Sequence, residues 1–224
     1  MDDFQGFRSP TPYESTKRLI DLLVLTRNLP SVRPHSASFL APEGDDAAGD
    51  DGCESPRMYV SQPGIVASTL FPLPWFLFWA YHLVTLIARW LGSPWHTVDP
   101  YSASKAAAWI ILQEQSALDA LNAERVKWGS STDRSGRGFV KETEVDRWGW
   151  QGKVEDVSVD VDGVTGVLRK RIGRDGNATD VTEEELVQFE ELGAECWDEM
   201  EDLRQEWTEI LELDAPKPNG KSRQ

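Results

Sequence analysis

The chain has 224 residues, with 23 Lys and Arg against 38 Asp and Glu, a formal net charge of -15. Such an acidic balance argues against a nucleic-acid partner, since DNA and RNA binders carry a basic patch; the length allows one large domain or two small ones with a sizeable core. Two cysteines far apart, Cys53 and Cys196, suit a reducing compartment better than a disulfide-stapled secreted fold, and the first twenty residues hold no secretory signal.

Residues 1–12 read as a loop rich in Pro, Gly and Ser. Pro12 then suits the start of a helix from about Tyr13 to Asn28, ended by Pro30. Tyr13 and Lys17 stand four apart, one turn from each other on one helix face. A phenol ordinarily titrates near 10, and an ammonium within about 4–6 Å favours its ionised form, bringing it closer to acid/base work. An isolated Tyr-x-x-x-Lys is a short pattern, and its ordinary reading is a surface helix that carries both. Residues 30–56 combine prolines with Glu43, Asp45, Asp46, Asp50, Asp51 and Glu54. That mixture predicts a mobile acidic insertion.

Met58–Thr69 reads as a buried strand broken at Pro63-Gly64. No Asp, Glu, Lys or Arg occurs from Met58 to Ala88, and the clean helical part is Trp75–Ala88. At roughly 21 Å it falls short of the roughly 30 Å hydrocarbon core of a bilayer. Three readings stay open: a re-entrant or interfacial helix with Trp75, Trp79, Tyr81 and Trp90 at the membrane–water boundary, a full span, or a buried core helix. His82 is either a buried polar residue or a hydrogen-bond donor within this segment, and His96 reads as support for a turn. Neither His stands at metal-ligand spacing from Cys, Asp or Glu.

Residues 101–126 predict a helix with Trp109, Ile110, Leu112, Leu118 and Leu121 as its apolar positions. From 127 to 181 Gly and charge dominate, and the alternation of Val157, Val159 and Val161 with polar residues predicts one half-exposed strand or hairpin. Arg169-Lys170-Arg171 reads as a solvated face. Thr182 with Glu183-Glu184-Glu185 forms a capping box. It opens a helix of about 182–212 whose stripe of Leu186, Phe189, Gly193, Cys196, Met200, Leu203, Trp207 and Ile210 is fit to pack on the body or on another helix. The tail from Pro216 reads as disordered.

A helix carrying Tyr and Lys, followed by a strand ending in Pro-Gly-x-Val-x-Ser/Thr, resembles the short-chain dehydrogenase/reductase superfamily. The resemblance implies that Tyr13 is the catalytic acid/base and that Lys17 tunes it and holds the nicotinamide ribose. Pro63, Gly64 and Ile65 would then line the nicotinamide, and Ser68, with Thr69 as its neighbour, would contact the carboxamide. Tyr101-Ser102-Ala103-Ser104-Lys105 is a second match, but only Tyr13 has a Pro-Gly strand downstream. Tyr13–Arg18, Gln62–Ala67, the run Ala88-Arg89-Trp90-Leu91-Gly92-Ser93-Pro94-Trp95-His96-Thr97-Val98, Glu124–Gly129 and Thr143–Gly149 are similar to the fungal 3-keto-sterol reductases of ergosterol synthesis. This implies NADPH-dependent reduction of a 3-keto sterol to the 3β-alcohol, at the cytosolic face of the endoplasmic reticulum membrane or the lipid droplet. The segment 70–92 would be a substrate lid in contact with the bilayer.

No Gly-rich turn opening a helix precedes Tyr13, nor does the strand that carries the superfamily's catalytic Ser. The expected fold is therefore α/β: the C-terminal part of a Rossmann-type doubly wound sheet without its first βαβ unit, with a membrane-associated helix and an α-helical C-terminal extension. The reductase portion would be 1–113 and the extension 114–224. Two functions compete: an oxidoreductase acting on a sterol, and a non-catalytic, membrane-associated interaction protein derived from one. In either case the last helix is a surface on which other sterol-demethylation enzymes could dock.

Overall fold

The computed structural model describes residues 10–40, 56–67, 72–154, 161–162, 167–168, 174 and 179–214. Helix α1 (Pro12–Thr26) begins as the sequence directs, with Pro12 where its missing N–H costs nothing and Glu14 in the first turn. Its first half is largely exposed, whereas Leu22, Val24 and Leu25 in the second half are core. Helix α2 (Arg33–Leu40) lies within the stretch expected to be a mobile insertion. For residues 33–40 that expectation is wrong. Val32 and Ser36 are buried, and Phe39 meets Trp197 edge-on with ring centroids 5.6 Å apart. Pro34 stands in the first turn, where proline is tolerated, so it marks a helix start and not a loop. The rest of that insertion, 41–55 with Cys53, lies outside the described residues, as does the tail from Pro216.

Strand β1 (Val60–Gln62) is shorter than the 58–69 expected and pairs in parallel with β2 (Lys127–Thr132). Between them run α3 (Trp75–Trp90), α4 (Pro100–Ala103), α5 (Lys105–Leu112), α6 (Gln115–Ala120) and a 3-10 turn at Ala123–Arg125. The single helix expected over 101–126 is thus broken. Asp99 caps α4 by accepting the Ser102 N–H at 2.7 Å. Gln113 turns to extended backbone, ψ 149°, which ends α5 and leaves Leu112 exposed where a core position was expected.

Strand β2 runs antiparallel to β3 (Gly138–Thr143), and β4 (Val161–Asp162) with β5 (Val167–Leu168) completes a sheet in the order β1-β2-β3-β5-β4. That short β4–β5 hairpin is the described remnant of the valine-rich strand expected near Val157–Val161. Val157, Val159 and the Arg169-Lys170-Arg171 cluster lie outside the described residues. The fold is a mixed α/β arrangement with a long C-terminal helix, and its sheet contains both parallel and antiparallel neighbours.

Helix α7 (Glu183–Asp214) opens on the expected capping box: the Glu185 N–H donates to Thr182 Oγ1 at 3.2 Å, and the Thr182 N–H donates to Glu185 Oε2 at 2.9 Å. Phe189, Cys196 and Trp197 bury its first half against α1 and α2. The Trp197 indole N–H donates to the Leu23 carbonyl at 3.1 Å, and His35 Nδ1 lies 2.8 Å from Asp198. So α7 docks on its own body, while Trp207, Ile210 and Leu211 near its end are exposed.

One buried cation gives the fold a pH dependence. Lys141 on β3 is 1% exposed, its ammonium 5.0 Å from the ring centroids of both Trp95 and Trp150 and donating to the Glu142 carbonyl at 2.8 Å. Burial pushes it down to about 8, against the pull of Glu142 and Glu144. The folded chain therefore binds fewer protons than the unfolded one between about 8 and 10.5, and stability rises with pH across that window. From pH 7 to 9 the gain should be about 1 kcal/mol. Burial pushes the Cys196 thiol up to about 11, and this group works in the opposite sense above its unfolded value of 9.0. The urea midpoint should rise from pH 7 to 9 in the parent chain and stay flat in Lys141→Met, where a buried charge gives way to an apolar side chain. An equal rise in the variant would assign the effect to another group.

Candidate functional site

Tyr13 and Lys17 occupy the exposed first half of α1, and the Lys17 ammonium sits 4.5 Å from the centroid of the Tyr13 ring. Tyr13 is 70% exposed. Neither its hydroxyl nor the Lys17 ammonium has a hydrogen-bond or ion-pair partner among the described residues. The helix that carries them is fixed from its other end. Asp21 accepts from Lys127 Nζ at 2.7 Å with both side chains largely buried, which ties α1 to β2, and Val60 of β1 shares a core with Leu22 and Leu25.

The Pro63-Gly64 bend follows β1 directly. Pro63 is exposed and Gly64 half-buried. A Cβ on Gly64 would collide with the Thr97 side chain, which is fully buried, so the bend and the Trp95–Val98 segment touch because position 64 is glycine. The Ile65 N–H donates to the Trp95 carbonyl at 2.6 Å, and its carbonyl accepts from the Val98 N–H at 3.0 Å. Its side chain is partly exposed. Ser68 and Thr69 lie outside the described residues. The structure thus brings Tyr13 to Lys17 and joins Gly64 and Ile65 to Trp95–Val98, and no hydrogen bond links the two groups among the described residues. For a nicotinamide ribose, the open hydroxyl of Tyr13 and ammonium of Lys17 are suitable partners. The backbone of Ile65 is already occupied on both sides, so it is the side chains of Pro63 and Ile65 that can face a nicotinamide.

The rival pair is arranged differently. Lys105 is 5.6 Å from the centroid of the Tyr101 ring, but its Nζ donates to the Gly138 carbonyl at 3.0 Å and its stem lies over Gly138. That ammonium serves the strand. His96 Nδ1 lies 2.7 Å from Ser93 Oγ, and the His96 carbonyl accepts from Thr132 Oγ1 at 3.2 Å; burial lowers the imidazole pKa, so the ring stays neutral in its turn. Among the described residues no group of three or more His, Cys, Asp or Glu could hold a metal ion.

Helix α3 carries a feature the sequence reading missed. Trp75, Phe76, Trp79, Leu83, Val84, Ile87 and Trp90 are exposed and share one side at helical spacing. Phe78, Tyr81, His82, Thr85 and Arg89 fall on the sheltered side, with Thr85 buried. There the Tyr81 hydroxyl donates to the Val66 carbonyl at 3.3 Å and Thr85 Oγ1 to the His82 carbonyl at 2.8 Å. His82 Nδ1 is buried with no partner and its ring stacks near Phe78. The polar residues face in, alongside Phe78 and Leu86, and most of the large apolar ones face out, the reverse of a helix on a water-facing body. The spacing of 81, 82, 85 and 89 carries this signal in the sequence alone. No described helix is long and apolar enough to cross a membrane, and α3 is not a core helix either.

No family model matches the chain, and no solved structure matches it. The 3-keto-steroid reductase ERG27 of Gibberella zeae is 56% identical over 212 residues, covering 94% of this chain and 44% of that protein. The 3-keto-steroid reductase erg27 of Aspergillus fumigatus is 40% identical over 222 residues, covering 95% of this chain and 48% of that protein. The 3-keto-steroid reductase ERG27 of Saccharomyces cerevisiae is 30% identical over 151 residues, 66% of this chain and 37% of that protein. The chain spans about half the length of the curated relatives it matches.

Proposed function

Because the chain belongs to the fungal 3-keto-steroid reductases over the part of their length that it spans, we propose that it carries the proton-donating half of an enzyme that reduces the 3-keto group of a sterol to the 3β-alcohol. The observation that carries this reading is the Tyr13–Lys17 pair, set on an open helix face in a chain 56% identical to a 3-keto-steroid reductase. Tyr13 gives its proton to the ketone oxygen. The Lys17 charge over the ring offsets the negative charge left behind, and its remaining donors hold ribose hydroxyls. Pro63 and Ile65 wall the nicotinamide, and Ser68 contacts its carboxamide. NADPH, when bound, supplies the hydride.

The finer fold reading is the last βαβ unit of a doubly wound sheet. It draws on the parallel β1–β2 pair and its helical crossover, which carries the sheet past residue 113, where the reductase portion was expected to end, with β1 at the sheet edge where further parallel strands would add. The Gly-rich unit for the dinucleotide belongs, in this reading, to the part of the relatives that this chain does not match. The outward apolar face of α3 supports an interfacial helix in the bilayer, at the endoplasmic reticulum membrane, through which a water-insoluble sterone reaches the phenol from the lipid side. The end of α7, with Trp207 and Leu211 exposed, is where a second sterol-processing enzyme would bind.

The test is a chimaera in which this chain replaces the matching segment of the Gibberella zeae reductase. It should oxidise NADPH only when a 3-keto sterol is supplied. The exposure of Tyr13 favours a second reading, a non-catalytic membrane protein. A folded chimaera that binds vesicles but turns over no sterone would establish that reading instead.

A further inference from the structure

We propose that Arg89 and Arg134 form a clamp for the phosphate of an anionic lipid, at the point where α3 meets the β2–β3 turn; this rests on the reading above that α3 lies in a bilayer. Several described cations of this acidic chain are paired: Arg18 with Asp146, Arg57 with Asp119, Lys127 with Asp21, Arg174 with Glu144, Arg204 with Glu201. Arg89, Arg134 and Arg137 have no ion pair among the described residues. The first two cross over, each reaching the glycine beside the other. Gly92, just past the end of α3 at φ 109°, is so placed that a Cβ would lie 3.2 Å from Arg134 Nη2. Gly136, in the β2–β3 turn at φ 85°, is so placed that a Cβ would lie 3.0 Å from Arg89 Nη1. Each guanidinium therefore rests on the other's glycine, where left-handed backbone and missing side chain leave room for it.

The nearby carboxylates have other duties. Asp133 Oδ1 accepts from the Ser135 N–H at 2.9 Å, Ser135 Oγ at 2.6 Å and the Arg137 N–H at 2.9 Å, which shapes the turn. Asp99, which feels the Arg89 charge, caps α4. Arg89 Nε is buried with no partner. Like charges gathered without an anion repel each other, and a bound phosphate removes that repulsion while matching the guanidinium fork. The flanking residues name the source of the phosphate. Trp90 and Leu91 are exposed beside the pair and continue the outward face of α3, so the clamp stands at the edge of a bilayer-facing surface and not in a pocket for a free anion. Beyond a Debye length of about 8–10 Å the negative remainder of the chain is screened, so the local cations govern contact.

The experiment sediments the full chain with vesicles of phosphatidylcholine alone and with vesicles that also carry phosphatidylserine. Partition onto the anionic vesicles should exceed that onto neutral ones by on the order of tenfold or more. The double variant Arg89→Gln/Arg134→Gln should lose that excess yet keep its binding to neutral vesicles. Since Arg89 is half-buried, Arg134→Gln alone serves where the double variant unfolds, and it should lose part of the excess. An undiminished preference in the variants overturns the clamp. Equal binding of the parent to both vesicles overturns the clamp and leaves the bilayer reading standing, whereas binding to neither removes both. Inorganic phosphate that abolishes the preference at matched ionic strength, where chloride does not, would assign the site to a free anion and overturn the lipid proposal.

Discussion

In the chimaeric reductase, Tyr13→Phe is expected to lower sterone reduction about 100- to 10,000-fold, the range a positioned proton donor contributes. The sterol KM should change little, since the ring that fills the space is kept and only the hydroxyl is lost. Folding should be unaffected, because Tyr13 is 70% exposed and its hydroxyl bonds nothing among the described residues. Tyr101→Phe is the control. Tyr101 is 79% exposed as well, but its lysine neighbour is committed to the Gly138 carbonyl, and the rate should stay near that of the parent. The opposite ranking, with Tyr101→Phe inactive and Tyr13→Phe active, would move the chemistry to α4 and leave α1 a surface helix.

The largest expected loss of stability follows from Trp148→Ala. The Trp148 side chain is fully buried, its indole N–H donates to the Arg125 carbonyl at 2.9 Å, and its ring lies 4.9 Å from Phe189 of α7. The Arg125 guanidinium covers the ring at 5.4 Å. Truncation removes the packing that joins α7 to the loop after β3 and leaves a carbonyl without its donor. The cost should be about 3–5 kcal/mol, a large share of the roughly 5–15 kcal/mol that holds a domain folded. At about 2–4 °C per kcal/mol for a chain of this size, the melting temperature should fall by roughly 6–20 °C. Trp207→Ala on the same helix, at an exposed position, should change stability by no more than about 0.5 kcal/mol. If thermal unfolding showed the two substitutions to be equivalent, α7 would not be held through Phe189 and Trp148.

The parts of the fold that could be read from the chain are those where a local rule and the packing agree. Pro12 and the apolar run after it mark α1, Thr182 and Glu185 mark the start of α7, and the uncharged stretch from Met58 to Ala88 marks α3. Strands β2 and β3 were not legible for a physical reason. Apart from Trp128 and Gly129, their buried positions are held by Ser130, Ser131, Thr132, Lys141, Glu142 and Thr143, so the alternation of apolar and polar residues that reveals a strand is absent. Their turn did leave a trace in Asp133-Arg134-Ser135-Gly136, where Asp133 accepts from Ser135 and Arg137. Helix α2 was hidden because Pro34 and the acidic residues beyond it dominate the local composition, while its contacts with α7, Phe39 on Trp197 and His35 on Asp198, reach partners about 160 residues away. At the candidate site, the pairing of Tyr13 with Lys17 was visible as a spacing, and so was the glycine at the bend. The engagement of Lys105 with β3 was not, because it depends on a partner 33 residues away.

The reversed polarity of α3 sets the terms on which its residues can vary. Exchanges among Trp, Leu, Ile and Phe on the outer row preserve what that row offers and should pass freely, while a lone Lys or Glu there spoils it. On the inner row, replacing Tyr81 or Thr85 by a residue without a hydroxyl removes a hydrogen bond to a carbonyl, at a cost of about 1 kcal/mol each. Drift in this helix thus obeys the opposite grammar from drift in α7, within one and the same chain.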